Sequence, residues 1–195
     1  MKKLLVCARA AAAAIGAAAV CGCSLFSSPE QSDIVYYDLQ QPEKISSVPI
    51  LVDQFVSFSG ERQRMARRKN TTLISGNDFH KWVQPPGGLI TRYLQLAFRN
   101  EAADDLRTVA DPAELRGEVL TFECAGDDAV LGVRYHLRRG KNTFSKTVLF
   151  REKLEHADPE SFSRAMSKAA DRLARQIAAD AARLPATEVP AKKGK

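Results

Sequence analysis

The strongest structural pattern in the sequence lies in residues 114–154, ELRGEVLTFECAGDDAVLGVRYHLRRGKNTFSKTVLFREKL. Three long runs rich in β-branched and aromatic residues are separated by GDD and GK, which are typical of hairpin turns. In the middle run, apolar residues alternate with polar residues and glycine. The predicted core-facing set is Leu131, Val133, Tyr135 and Leu137, and the water-facing set is Gly132, Arg134, His136 and Arg138. The pattern predicts an antiparallel meander with one apolar face that needs a cover.

A C-terminal helix is the predicted cover. It begins at DPESF, with Asp158 as the N-cap and Pro159 at the first helical position. Apolar residues then recur at helical spacing, and basic residues lie largely off this stripe. The stripe contains Phe162, Met166, Ala169, Leu173, Ile177 and Leu184. Such a stripe usually packs on the protein's own sheet; a helix that binds a lipid surface is the alternative.

The segments before the meander predict further strands and a first helix. DIVYYDL (33–39) and VPILVDQFVSF (48–58) favour strands, and in the second Ile50, Val52 and Val56 alternate with Leu51, Asp53 and Ser57. A weaker pair of strands is predicted near RQRMARRK (62–69) and TTLIS (71–75), and a short one at LRTV (106–109). PPGGLITRYLQLAF (85–98) has helical periodicity. The sum is one α+β domain over residues 34–184, a largely antiparallel or mixed sheet backed by two helices.

The N-terminal segment predicts export and a lipid anchor. Residues 1–22 begin with basic side chains and continue as a short apolar run, as in a secretory signal peptide. The run is shorter than the roughly 20 apolar residues that a membrane helix needs. VCGC (20–23) resembles a bacterial lipobox, in which Cys23 is the better acceptor for diacylglycerol because Gly22 precedes it. Its acyl chains, at about 0.8 kcal/mol per buried CH2, are expected to hold the mature chain on a membrane.

Two further segments flank the predicted domain. Residues 23–33 form a short polar tether behind the lipidated cysteine, and residues 185–195 have the composition of a disordered basic tail. Ser24 after the modified cysteine matches the outer-membrane pattern of bacterial lipoproteins, whereas aspartate there favours inner-membrane retention. We therefore expect a periplasm-facing protein anchored in the outer membrane.

The remaining composition excludes several classes of function. The formal net charge of +6 resides in the two ends of the chain, and the domain itself is nearly neutral, so we expect no nucleic acid among the partners. Cys124 is the one cysteine left after processing and lipidation, which excludes an intrachain disulfide and favours a small buried side chain. His80, His136 and His156 lie in separate segments, and no motif predicts a catalytic residue, a metal site or a cofactor. We expect a protein that is not an enzyme.

The region from Tyr36 to Phe98 resembles the ABC-type transport auxiliary lipoprotein family, which includes paraquat-inducible lipoproteins. The matching segments are YYDL, VPILVDQFVSF, RMARR and FHKWVQPPGGLITRYL. The residues that correspond to characteristic positions of the family's motifs are Tyr36, Tyr37, Leu39, Pro49, Val52, Met65, Arg68, Trp82 and Pro85. One departure is Arg67, where the family has an aromatic residue.

The resemblance implies an accessory role in intermembrane lipid transport. Its partners would be a mammalian-cell-entry domain protein, which forms an apolar conduit, and the subunits of an ABC transporter. The lipoprotein would dock the conduit at a membrane. An outer-membrane lipoprotein that activates or scaffolds a periplasmic enzyme, such as a cell-wall synthase, is the alternative, and a lipid carrier with its own cavity is a third. Self-association into a homo-oligomer stays open.

A basic strand and one tryptophan are the predicted docking residues. They are Arg62, Arg64, Arg67, Arg68, Lys69 and Trp82. Rim charges steer association, and tryptophan is a frequent interface anchor. The alternatives are an edge strand protected by charge and a tryptophan that packs beneath a helix.

Overall fold

A computed structural model describes residues 33–45, 49–58, 62–99 and 111–186. The predicted signal peptide, Cys23, most of the tether, the LRTV strand and residues 187–195 of the tail lie outside these ranges. Within them, no helix combines the length and apolarity needed to cross a bilayer.

The described residues form one α+β domain with a mixed sheet of eight strands and two helices. The strands are β1 (Val35–Tyr37), β2 (Ile50–Val52), β3 (Val56–Ser57), β4 (Arg64–Arg68), β5 (Ile74–Trp82), β6 (Ala113–Ala125), β7 (Asp128–Arg139) and β8 (Asn142–Lys153). The helices are α1 (Pro86–Ala97) and α2 (Pro159–Arg183). The spatial order is β1-β5-β4-β6-β7-β8, and β2 and β3 pair with β6 beside β4. The predicted fold class is confirmed.

The long meander matches its prediction. Strands β6, β7 and β8 pair antiparallel in sequence order. Gly126 and Gly140 begin the two connecting turns with φ of 63° and 56°, a backbone conformation that glycine adopts without steric cost. Leu131, Val133 and Tyr135 are fully buried, as the alternation predicts.

Two positions of the meander differ from the predicted alternation. The alternation in β6 predicts that Leu120, Phe122 and Cys124 share one face, but a bulge between Val119 and Thr121 leaves Leu120 without a partner and only half-buried. Gly132 is buried rather than water-facing, because the side chains of Thr121 and Leu149 cover it.

Helix α2 covers the inner face of the meander. Asp158 caps it by accepting a 2.7 Å hydrogen bond from the Ser161 N–H, and this bond lowers the pKa of Asp158. Met166, Ala169, Leu173 and Ile177 have no exposed surface. Burial of each large side chain contributes about 1.5–3 kcal/mol. The apolar stripe therefore packs on the sheet, and the lipid-surface alternative for this helix is wrong.

The predicted strand 48–58 is divided in two. Val52 pairs with Leu115 of β6, and Val56 pairs with Glu118. The segment therefore advances four residues where β6 advances three, which leaves one extra residue between β2 and β3. The extra residue reverses the alternation: Phe55 is buried, and Val56 is 54% exposed instead of facing the core with Ile50. The Phe55 N–H donates to the Thr91 hydroxyl of α1 at 2.8 Å, which fixes the break.

The weakly predicted pair near residues 62–75 is a hairpin of β4 and β5, and β5 continues to Trp82. Strand β4 lies inside the sheet, between β5 and β6. The edge-strand alternative for the basic segment is therefore wrong.

Candidate docking surface

The predicted basic cluster does not form one surface. Arg68 makes a two-point ion pair with Glu123 on β6, in which the Nη2–Oε2 distance is 2.9 Å. Because the Glu123 side chain is only 8% exposed, Arg68 serves to neutralise a buried carboxylate. Arg64 pairs with Asp78 at 2.7 Å. These two arginines have partners within the domain.

Arg67 lies on the opposite face of β4 from Arg68, because successive strand residues alternate. It is in register with Cys124 and lines a cavity of about 470 Å³ between the β4–β5 hairpin and the start of α2. Lys69 lines the same cavity, and Arg62 is exposed just before β4.

Cys124 is 1% exposed, which confirms a small buried side chain. Burial raises the pKa of its thiol, and the positive charge of Arg67 opposes that rise only in part. The thiol is therefore protonated at neutral pH.

Trp82 belongs to the core. It has no exposed surface and contacts Phe122 and Phe162 edge-on, with ring centroids 5.1 Å and 5.4 Å away. Its contact with Phe162 places it against α2, in the same core cluster as Leu89 and Ile90 of α1. A residue without exposed surface cannot anchor a partner on this face of the folded domain, so the packing alternative holds.

The sheet has a second face, opposite the two helices, which we call the open face. Its central feature is a cross-strand row of Thr121, Gly132 and Leu149, with Phe58 on the other side of β6, one residue after Ser57 pairs with Val119. Phe58 follows β3 and is 66% exposed, and Leu149 on β8 is 57% exposed. A Cβ on Gly132 would lie 3.2 Å from Leu149 Cδ1, so the glycine allows the leucine to lie flat across β7.

Ion pairs border this apolar row on both sides. Arg134 pairs with Glu118 at 3.1 Å on one side, and the Arg68–Glu123 pair lies on the other. Further along, Arg138 Nε donates to Glu114 at 3.0 Å. An apolar centre with a charged rim is the usual anatomy of a protein–protein interface.

A groove of about 690 Å³ continues from the rim toward the end of β2. Its polar lining includes His136, whose Nδ1 lies 2.6 Å from the Ser145 hydroxyl, together with Asp53 and Arg116. In the described part of the chain, no group of three or more His, Cys, Asp or Glu side chains is placed to hold a metal ion.

Part of the open face could be predicted from the alternation in β7. The alternation predicts that Arg134, His136 and Arg138 face water. In the structure they form or flank the charged rim of the open face. The apolar row was missed because Phe58 and Leu149 are ordinary strand residues in the sequence. Their exposure depends on the reversed alternation after Val52 and on the edge position of β8.

Comparisons with known proteins address the family and the fold. Among solved structures, one uncharacterised protein has a TM-score of 0.63 and 11% identity, over 76% of this chain and 98% of its own. A Xanthomonas campestris protein assigned to family DUF330 has a TM-score of 0.58 and 16% identity, over 74% of this chain and 91% of its own. Both likenesses concern the fold. A comparison with curated proteins gave no match.

The family model for the ABC-type transport auxiliary lipoprotein component matches residues 61–178, from the start of β4 through most of α2. Met65, Arg68, Trp82 and Pro85 of the predicted motif lie within this match, and Tyr36 and Pro49 precede it. The chain therefore belongs to the family of ABC-type transport auxiliary lipoprotein components.

Proposed function

We propose that this chain is a lipid-anchored accessory subunit that docks the conduit of an intermembrane lipid transport system at the outer membrane. Its partner is a mammalian-cell-entry domain protein that works with an ABC transporter. The role is positional and includes no catalytic turnover. Membership in the family carries the transport part of this proposal.

The lipobox-like VCGC supports the anchor. Acylation of Cys23 would supply several kcal/mol of membrane affinity, far more than a single exposed apolar residue can. Lipids cross an aqueous compartment only along a continuous apolar route, because exposing each buried CH2 group of an acyl chain to water costs about 0.8 kcal/mol. A lipidated domain that holds one end of such a route at a bilayer requires a membrane anchor and a protein-binding face.

The open face is the protein-binding surface in this proposal. The single observation behind this choice is the exposure of Phe58 and Leu149 on this face, at 66% and 57%, with ion pairs beside them. Exposed leucine and phenylalanine side chains bind a partner by desolvation, and the charged rim fixes the register of the complex.

The test is site-specific photo-crosslinking in the native host. A photoreactive amino acid replaces Leu149 on the open face, and a matched variant carries it at Lys168, an exposed residue of α2 on the other side of the sheet. We expect Leu149, and not Lys168, to crosslink to a mammalian-cell-entry protein, with ABC subunits in the same purified complex.

The identity of the crosslinked partner also distinguishes the lipid-transport role from the enzyme-scaffold alternative. A cell-wall synthase or another periplasmic enzyme at Leu149 would replace this proposal with the scaffold alternative. Equal crosslinking at both positions would show that the open face is not the docking surface.

A further inference from the structure

A second exposed apolar patch lies at the other edge of the sheet, where the N-terminal segment enters the domain. Ile34 is 46% exposed, Tyr36 is 55% exposed and Phe79 is 50% exposed. Strand β1 pairs parallel with β5, with Val35 beside His80 and Tyr36 beside Lys81. The same register, carried back one residue, places Ile34 beside Phe79. Because partners in a parallel pair share a face, these side chains form one surface, which we call the entrance patch.

Basic side chains border the entrance patch. Lys81 is in register with Tyr36 on one side and with Arg64 of β4 on the other. Arg62, two residues earlier, is exposed. The acidic neighbours are Asp78, which is neutralised by Arg64 at 2.7 Å, and Asp33 at the start of the described chain. The border of the patch therefore has an excess of positive charge.

The position of the patch along the chain, close to the proposed lipid anchor, indicates a membrane as its binding partner. Only residues 24–33 separate Ile34 from Cys23, and even a fully extended chain of that length spans no more than about 36 Å. The tether joins the domain at β1, so the entrance patch is the exposed apolar surface that follows residue 23 most directly along the chain. Tyrosine and phenylalanine beside lysine and arginine are the composition favoured at the membrane–water interface.

The two exposed apolar surfaces lie at opposite edges of the sheet. Strands β5, β4, β6 and β7 separate β1 from β8, which carries Leu149. At about 4.8 Å per strand, the two edges are roughly 24 Å apart. Because Tyr37 and Trp82 point into the core, Tyr36 points to the opposite side of the sheet, the side of Leu149 but at the far edge from it.

We infer that the entrance patch of Ile34, Tyr36 and Phe79 inserts into the headgroup region of an anionic bilayer and so orients the tethered domain. This inference rests on the lipid anchor at Cys23 in the proposed function. The anchor sets the distance of the domain from the membrane, and the patch sets which face it turns toward the membrane. Lys81 and Arg62 contribute attraction to phosphate groups, which salt weakens.

The test measures depth in the bilayer at single positions. The full chain is produced in a host that processes lipoproteins and reconstituted into phosphatidylethanolamine–phosphatidylglycerol vesicles, with and without brominated acyl chains. An environment-sensitive dye is attached to Y36C, to F79C and to T147C, a control at an exposed position of β8. The unsubstituted chain reports background labelling of Cys124, which is 1% exposed.

We expect bromine quenching and a blue-shifted emission at positions 36 and 79, and neither effect at position 147. The variant Lys81→Glu should reduce the quenching at position 36 in anionic vesicles and leave it unchanged in zwitterionic ones. These results would support the inference, since a protein partner cannot produce bromine quenching.

A wrong membrane contact and a wrong lipid anchor would give different results in this experiment. If the unsubstituted chain floats with the vesicles but positions 36 and 79 are quenched no more than position 147, the membrane contact is wrong and the anchor stands. If the unsubstituted chain does not float, the lipid anchor is wrong and the inference falls with it.

Discussion

Tyr135 of β7 donates a 2.5 Å hydrogen bond to Asp180 of α2, and this bond ties the second helix to the middle strand of the meander. Tyr135 has no exposed surface and Asp180 is 4% exposed. The same Asp180 oxygen accepts from Gln176 at 2.9 Å and from Lys146 of β8 at 3.2 Å. A buried carboxylate with three donors is satisfied, so the polar cluster fixes the position of α2 without leaving an unpaired charge.

Replacement of Asp180 by alanine should destabilise the domain by about 1–3 kcal/mol, because the Tyr135 hydroxyl is left buried without an acceptor. Tyr135→Phe should cost less, about 0.5–1.5 kcal/mol, because Asp180 keeps Gln176 and Lys146. Urea denaturation of both variants measures the difference. Equal loss in the two variants would contradict the assignment of Asp180 as the centre of the cluster.

The same cluster predicts acid sensitivity. Burial raises the pKa of Asp180, but the hydrogen bonds from Tyr135, Gln176 and Lys146 and the charge of Lys146 outweigh it, so the net pKa is below the usual 3.8. A depressed pKa means that the folded state binds the proton less well than the unfolded state. Its stabilisation is present above pH 3.8 and is lost as the pH falls toward the lowered value.

Asp180→Asn should flatten the fall in stability below pH 4, since the amide cannot titrate. The free energy of unfolding measured between neutral pH and pH 3 in the wild type and in this variant checks the expectation. An unchanged slope would assign the acid sensitivity to other carboxylates, of which Asp158 also has a lowered pKa.

Trp82 fills the core but leaves its indole Nε1–H buried and without a hydrogen-bond partner in the described part of the chain. Trp82→Ala should cost about 3–5 kcal/mol through lost contacts and a cavity. Trp82→Phe should cost much less, because it removes an unsatisfied donor along with part of the ring. Denaturant midpoints of the two variants decide the point, and a Trp82→Phe loss as large as that of Trp82→Ala would show that the indole N–H has a partner.

Elements defined by local sequence periodicity could be predicted, whereas features that depend on contacts between distant parts of the chain could not. The meander, α1 and α2 were predicted because their periodicities are long and local. The full length of β5 was missed because Asn77 interrupts its alternation, with its side-chain oxygen accepting from the Phe79 and His80 N–H groups. The position of β4 beside β6 depends on Arg67 pairing with Cys124, a contact that local pattern does not encode.

The predicted basic cluster is divided for a related reason. Arg67 and Arg68 are neighbours in the sequence, and a run of basic residues predicts one surface. Strand geometry sends adjacent side chains to opposite faces. A buried partner such as Glu123, 55 residues later in the chain, cannot be identified from one sequence. The open face depends on register and bulges, which are likewise properties of the folded sheet.

Gly87 and Gly88 at the start of α1 provide a matched pair. A Cβ on Gly87 would collide with the Phe55 carbonyl and lie 3.1 Å from the Ser57 nitrogen, both backbone groups that cannot move independently. A Cβ on Gly88 would meet only the flexible Gln84 side chain at 3.4 Å.

We expect Gly87→Ala to destabilise the domain by about 1–3 kcal/mol through overpacking. Gly88→Ala should be neutral or stabilising by up to about 1 kcal/mol, because alanine is the better helix former. Thermal unfolding of the two variants under the same conditions tests this order. A Gly87→Ala variant as stable as Gly88→Ala would show that the Phe55 segment is free to move away from α1.

The proposed anchor predicts different outcomes for two cysteines that are one residue apart. Cys23→Ala should release the protein from membranes, because no acyl chain remains and a protein surface patch alone binds bilayers weakly and reversibly. Cys21→Ala should stay attached, because Cys23 remains the acceptor behind Gly22. The domain begins well after both positions, so both variants should unfold at the wild-type denaturant concentration. Membrane fractionation with a high-salt wash is the measurement. A Cys23→Ala protein that stays in the washed membranes would show that something other than the acylated cysteine anchors it, and loss of Cys21→Ala alone would move the acceptor to residue 21.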